Sequence, residues 1–506
     1  MLSFDFKTAK PGYIAVFLCA AVLYITTCAP GVLWQDSGMF QYRIWHKDIE
    51  GDLGLALAHP LYHLLGIAVT LVPVGDFAYK VNLISAIAAA ITVANIFLLV
   101  RMWFGRTFPA VIAAITLGLS WTYWQFASIA EVYTLYTALF TLELLILFEY
   151  CWSGRKKFLY LLGFINGLAI ANHMWGAIAF GCYFVFLIFL LVRRKIGFKD
   201  IGIAAILWIA GALPYEYLII KNLVQTGDLA GTISSALFGK GWGKAVLNTS
   251  ISAKIAKENL IFIGYNFATP NIVFLFFGLY SIRKTTLKSF GIILTSLLIL
   301  FFIFAFRYTV PDRYAFFIPF YCLAAIFVGI GCGEFFVRRE STFIRMIVLL
   351  LAFLPTAVYL FVPRIAEKAE FSIGTKREIP YRNDYIWFLR PWQYGHNGPE
   401  RFATEALQDA EKDAVIIADG TTVYTLWYVQ TVTKRRPDVM IFSRHGSYTN
   451  PSAFPDVETV AKLVTERKLY VVSPIAGYCP DFLLERYNFV KTGVLWQAVR
   501  KEGVSK

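Results

Sequence analysis

Long apolar runs broken by short polar segments dominate the chain from Tyr13 to about residue 362. Runs of roughly 18–22 residues fit the ~30 Å hydrocarbon core of a bilayer crossed by a helix. The pattern predicts a multi-span α-helical membrane protein with about eleven spans by that length criterion. The segment 61–73 is short enough to read either as a half-span or as an interfacial helix. From Pro363 the pattern changes. Residues 400–411, 421–432 and 457–467 carry helical periodicity, whereas 414–418, 439–442 and 469–472 read as short buried strands. Such alternation implies βαβ units and a small parallel or mixed sheet. The expected organisation is a membrane domain over 1–362 and a small C-terminal α/β soluble domain over 363–506.

Composition agrees, with 58% hydrophobic and only 16% charged residues, where soluble domains carry about 25% charged. The formal charge of +14 does not call for nucleic acid, because its basic residues sit in loops between the apolar runs. Lys7 and Lys10 precede the first run. Arg101 with Arg106, Arg155-Lys156-Lys157, Arg193-Arg194-Lys195, Arg283-Lys284 with Lys288, and Arg338-Arg339 then follow alternate segments. Cytoplasmic loops carry this bias, and their attraction to anionic lipid adds to it. The turns near 32–59, 122–131, 171–175, 216–268 and 307–313 therefore face outward, and the last run, 343–362, delivers the tail outside. Residues 1–29 read as a first span rather than a cleaved leader, since Ala29-Pro30 is a poor cleavage flank. The seven cysteines are scattered without metal-ligand spacing, and the tail holds only Cys479.

The outward turns collect the candidate chemistry. Asp36 follows the first apolar run in Trp34-Gln35-Asp36-Ser37-Gly38. His59 precedes Pro60, Glu131 lies in Ala130-Glu131-Val132-Tyr133, His173 in Asn172-His173-Met174-Trp175, and Asp312-Arg313 precedes Tyr314. A carboxylate at a membrane boundary is costly without a purpose. Each residue also has a plainer reading: an Asx-turn for Asp36, a helix cap for Glu131, snorkelling for the histidines, and a local ion pair for Asp312-Arg313.

Asp-Ser-Gly in the first outer loop, His-Pro before the next helix, Ala-Glu-Val-Tyr, and Pro-Asp-Arg-Tyr before a late span together resemble the GT-C glycosyltransferases. The branch they resemble is the protein O-mannosyltransferase-like one, long labelled a domain of unknown function, which includes an animal transmembrane O-mannosyltransferase. In the tail, Asp419-Gly420 followed by Leu426-Trp427-Tyr428-Val429-Gln430, then Arg436-Pro437-Asp438-Val439, is similar to a stretch of that family. Two positions depart from it. Met39 stands where the family usually has Glu, which removes a second carboxylate, and His59-Pro60-Leu61-Tyr62 replaces His-Pro-Pro-Gly.

The resemblance implies an inverting transfer of a mannose-like sugar from a polyprenyl-phosphate donor to a hydroxyl of a protein, lipid or glycan acceptor. It makes Asp36 the expected general base, with Glu131 beside it. The departing phosphate needs positive charge; Arg313 is the first expectation, followed by Arg43, His46 and Lys221. His59, His173 and Asp312 are expected to line the acceptor side. No metal ligand set is assigned and no cofactor is certain; a divalent metal stays open but finds no support in the residues. The compartment implied is the outer side of a membrane, such as the periplasmic face of a bacterial inner membrane.

Gly239-Lys240-Gly241-Trp242-Gly243-Lys244 lacks the strand and the Lys-Ser/Thr ending of a phosphate loop. It reads instead as an interfacial loop with a Trp anchor. Asp419-Gly420-Thr421-Thr422, between a strand and a helix, offers a place for an anion or acceptor group, with a plain turn and a threonine helix cap as the simpler reading. A transporter would need paired mid-membrane charges and two symmetric halves; Glu143 is the clearest such charge and no symmetry is visible. A membrane-anchored sensor using the tail as its binding module leaves the outward polar cluster without a role.

Overall fold

The structure, a computed structural model, describes residues 6–73, 75–310, 312–373, 377–443 and 457–501. Among these, seven helices are long and apolar enough to cross a membrane, or nine if each of two bent pairs counts as one span. The expected eleven is thus not reached by length alone. Lys157–Asn172 and Gly176–Val192 have 16 and 17 residues, short of a full span, and Pro60–Val69 has only ten.

The most enclosed helices are Phe77–Phe104 and the span Arg313–Arg338, with 78% and 94% of their apolar windows buried. Both are apolar all round, which suits a bundle centre rather than a lipid-facing rim. Phe77–Phe104 starts where the Asp76 carboxylate accepts the Tyr79 N–H at 2.9 Å, and stops at Gly105 with φ +64. Helices Lys157–Asn172 and Phe198–Thr226 cross closely because Gly167 and Gly211 carry no Cβ. One would stand 2.2 Å from the Trp208 carbonyl oxygen and 2.1 Å from that of Phe164, respectively. Glu143 accepts from Asn166 Nδ2 at 3.1 Å and from Tyr183 OH at 3.0 Å, while Trp208 Nε1 donates to Asn166 Oδ1. This mid-membrane carboxylate ties helices together and has no second charge paired with it.

The tail carries a five-stranded mixed sheet: β1 Val415–Ala418, β2 Met440–Ser443, β3 Leu469–Val471, β4 Tyr487–Thr492 and β5 Leu495–Arg500, in the order β2-β1-β3-β5-β4. β1 runs parallel to β2 and β3, whereas β5 is antiparallel to β3 and β4. The β4–β5 hairpin was not expected from the sequence; its two-residue turn uses Gly493 at φ +58. The last apolar helix runs on to Lys368, so the expected boundary at 363 falls inside it.

The tail does not hang free. Gln393 N–H donates to the Thr27 carbonyl at 2.9 Å, Trp121 Nε1 to that of Phe388 at 3.1 Å, and Tyr265 OH to that of Leu389 at 2.8 Å. One hydrophobic core runs from the central helices into the tail, through Trp392, Phe402, Tyr424 and Trp427.

Candidate functional site

A cavity of about 660 Å³ lies where the bundle meets the tail. Asp36, His59, Glu131, His173 and Asp312 all line it, beside the aromatic rings of Phe40, Tyr133, Trp175, Tyr308, Tyr314 and Phe316. Residues almost 280 positions apart in sequence therefore converge on one space. Ser85, whose hydroxyl meets Glu131, sits in the first half of Phe77–Phe104, and Arg101 in that helix's last turn. The basic loops holding Arg106 and Glu340 meet at the far end, where their side chains pair at 3.3 Å.

Asp36 occupies the first turn of helix Gln35–Trp45. The loop before that helix is held from three sides. Gln41 Oε1 accepts from Leu33 N–H at 3.0 Å, Thr425 Oγ1 donates to the Leu33 carbonyl at 2.6 Å, and Gln35 N–H donates to the Thr421 carbonyl at 3.0 Å. Gly38 is required there, because a Cβ would stand 2.4 Å from the Leu33 oxygen. The Asp-Ser-Gly sequence thus combines a carboxylate, a hydroxyl and a necessary gap. Ser37 is buried and lines the same cavity as Glu131.

Glu131 is positioned through its backbone. Ser85 Oγ receives its N–H at 3.0 Å and contacts its carbonyl at 2.9 Å, while Asn172 Nδ2 donates to the Val132 carbonyl at 2.9 Å. Its side chain is buried, and burial, followed by Asp36 and Asp312, raises its pKa well above the ordinary carboxylate value. Asp36 opens onto the cavity. Enclosure within the protein and then the Asp312 charge push it up to about 7. Burial also raises Asp312. Three carboxyls sharing one space disfavour simultaneous ionisation.

The two histidines stack, with centroids 5.1 Å apart and planes 21° from parallel. His59 Nδ1 lies 2.8 Å from the Asn172 carbonyl, and His173 Nδ1 lies 3.1 Å from the Trp175 N–H. Burial lowers His59 to about 4 and carries His173 well below its ordinary value. Both are neutral near pH 7.

The four expected phosphate-binding residues do not line the cavity. Arg313 stands behind Asp312 with its guanidinium bonded to Glu258 and to Asn259 Oδ1. Arg43 is buried and paired with Asp48 at 3.2 Å, and Lys221 is paired with Glu50 at 2.6 Å. His46 packs against the Tyr42 ring at 4.5 Å. These four residues thus stand outside the cavity that Asp36 lines. Each found a local carboxylate or ring partner instead.

The tail and the 239–244 loop also contribute to the cavity wall. Asp419, Gly420 and Thr421 form part of the wall, and Asp419 is held by Arg377 at 2.6 Å. Arg377 lies 4.3 Å above the Tyr478 ring, and its Nε and Nη1 have no hydrogen-bond partner among the described residues. The Thr422 side chain makes no cap; the Asp419 carboxylate takes the Thr421 N–H instead. Gln430 serves structure, its Nε2 bonding the Arg436 and Val439 carbonyls at 2.8 Å each. Trp242 of the 239–244 loop lines the cavity. Pro311 falls outside the described residues. Among the described residues no group of three His, Cys, Asp or Glu is placed to hold a metal ion.

A carboxyl-lined cavity thus lies at one end of a helical membrane-type bundle, roofed by an α/β tail. The fold matches ArnT from Cupriavidus metallidurans, solved in the apo state and bound to undecaprenyl phosphate. The TM-scores are 0.64 and 0.62, at 14% identity, over 97% of this chain and 98% of that one. Residues 55–196 match the N-terminal domain of the protein O-mannosyl-transferase TMEM260 family. Protein O-mannosyl-transferase TMEM260 of Mus musculus is 27% identical over 231 residues, which cover 43% of this chain. That match spans about a third, 31%, of the mouse protein's length.

Proposed function

We propose that the protein is an inverting glycosyltransferase that moves a mannose-like sugar from a polyprenyl-phosphate donor to an acceptor hydroxyl. The convergence of Asp36, Glu131 and Asp312 on one aromatic-walled cavity, within this fold, carries the reading. The undecaprenyl phosphate of the similar ArnT structure and the activity named for the mouse relative support it. A transporter or sensor gains no such support.

The acceptor oxygen attacks the anomeric carbon while its proton passes to the Asp36 carboxylate. The bond to the phosphate oxygen breaks, and the polyprenyl phosphate departs with the electron pair. A hydroxyl is a poor nucleophile, so a base within hydrogen-bond reach governs the rate. Asp36, at about 7, is matched to that task near neutral pH. Glu131, which burial and then Asp36 and Asp312 raise well above the ordinary carboxylate value, orients the acceptor together with Asp312. Arg313 takes the leaving phosphate by exchanging Glu258 for it, a charge-assisted contact of the same kind. Arg43, His46 and Lys221 retain their present partners.

The cavity faces outward by the alternation of basic loops, on the periplasmic side or its lumenal equivalent. Adding the two shorter helices Lys157–Asn172 and Gly176–Val192 to the nine gives eleven crossings, an odd number consistent with Asp36 and the tail sharing one side. Nucleotide sugars are not supplied on that side, which favours the lipid carrier.

Nuclear magnetic resonance of the product made from a β-linked polyprenyl-phosphate hexose tests the reading. Inversion predicts an α-linked product. A β-linked product overturns single displacement at Asp36, and absence of any product overturns the function.

A further inference from the structure

The His59–His173 stack has its hydrogens placed by its neighbours. A carbonyl oxygen only accepts, so His59 Nδ1, 2.8 Å from the Asn172 carbonyl, carries the proton. A backbone N–H only donates, so His173 Nδ1, which receives the Trp175 N–H at 3.1 Å, does not. In the neutral rings this leaves His59 Nε2 as a bare acceptor and His173 Nε2–H as a donor. Neither Nε2 has a protein hydrogen-bond partner among the described residues, and both rings line the cavity.

The two tethers share one short stretch, Asn172 to Trp175, so the rings are fixed relative to each other. Around them stand Trp175, Tyr133 and Phe316, with ring centroids 4.2, 5.7 and 6.5 Å from His173. Apolar ring faces beside one acceptor and one donor suit a pyranose, whose C–H faces pack on aromatics while neighbouring hydroxyls donate and accept. The arrangement suits a phosphate poorly, because the rings are neutral and one of the two Nε2 atoms has no hydrogen to give. It suits a metal poorly as well, since the His173 lone pair is already engaged.

We propose that His59 and His173 form a hydroxyl-reading pair that recognises two neighbouring hydroxyls of the transferred sugar, His59 Nε2 accepting from one and His173 Nε2–H donating to the other. The assignment rests on the glycosyltransferase reading and names the part of the donor this wall holds. Both are specificity-determining positions and neither takes part in bond making.

Asparagine separates recognition from structure. In His59→Asn the amide nitrogen can still reach the Asn172 carbonyl, and in His173→Asn the amide oxygen can still receive the Trp175 N–H. Each variant lacks the Nε2 contact. The experiment measures competition binding and KM for polyprenyl-phosphate mannose, glucose and galactose, and for the monodeoxy forms of whichever hexose binds best. Wild type should discriminate against two adjacent deoxy positions. Each Asn variant should raise KM for the parent hexose about 2- to 10-fold, the span of one neutral hydrogen bond. Each should also lose discrimination at one position only, a different one in each, with kcat changed less than KM. If wild type discriminates and both variants keep the full pattern, the pair assignment is overturned while the enzyme reading stands. If wild type binds no hexose on the lipid carrier, the enzyme reading falls and takes this assignment with it.

Discussion

Replacing Asp36 by asparagine keeps the side chain's shape and removes its basic oxygen. The expected loss of transfer is on the order of 10²–10⁴-fold, the usual contribution of a general base, or about 3–5 kcal/mol of barrier. The wild-type pH profile should carry the same signature. A base works only when ionised, so kcat/KM should fall about tenfold per pH unit below about 7, and this limb should vanish from the residual activity of the variant. Stability should move the other way. Between the ordinary 3.8 and about 7 the unfolded chain ionises Asp36 and the native protein does not, so stability falls as pH rises through that window. The full difference would be about 4 kcal/mol. Asp36 is solvent-accessible, and with that screening we expect a cost of only about 1 kcal/mol. Asp36→Asn should therefore melt slightly higher than wild type at pH 8 and no higher near pH 4. Rates come from a radiolabelled-hexose transfer assay and midpoints from thermal unfolding in detergent. Near-normal transfer by a folded Asp36→Asn protein refutes the base assignment and points to Glu131 or Asp312.

Arg313→Ala should weaken donor use by a few kcal/mol and Arg313→Lys should restore only part of it, because an ammonium cannot reproduce a two-pronged guanidinium contact; KM for the lipid-linked donor reads this. Gly38→Ala should destabilise by about 1–3 kcal/mol through overpacking, since the Leu33 oxygen that its Cβ meets is itself held by Thr425; thermal unfolding detects it. An impermeant maleimide should label Thr465→Cys, exposed on helix Val457–Glu466, in sealed cells with Cys19 replaced by serine. Labelling only after permeabilisation places the tail in the cytoplasm and removes the topological case for a lipid donor.

The helical bundle was legible because spans and basic loops are properties of composition and length, which local sequence carries. The residues that meet at the cavity were legible in part, since Asp36, Glu131 and Asp312 sit in short motifs at the same ends of different helices. Partner choice was not. Arg313, Arg43 and Lys221 were expected at the phosphate, but they pair with Glu258 of helix Ala253–Asn266 and with Asp48 and Glu50 of a loop, tertiary contacts that the periodicity does not specify. The tail motif around Leu426-Trp427 looked functional, yet Trp427 Nε1 donates to the Ile441 carbonyl and Thr425 clamps the Asp36 loop. Arg377 carried no local signal at all; it reaches Asp419 across 42 positions through a tertiary contact. The β4–β5 hairpin was missed because Tyr487–Thr492 alternates weakly, with most of its side chains partly or fully exposed.

The claim that a lipid-linked sugar reacts in this cavity is tested most directly by offering one hexose on two carriers to the purified protein in liposomes. The account predicts transfer from the polyprenyl-phosphate form, abolished in Asp36→Asn, and none from the nucleotide form. Efficient turnover of the nucleotide sugar with none of the polyprenyl-phosphate sugar would contradict it.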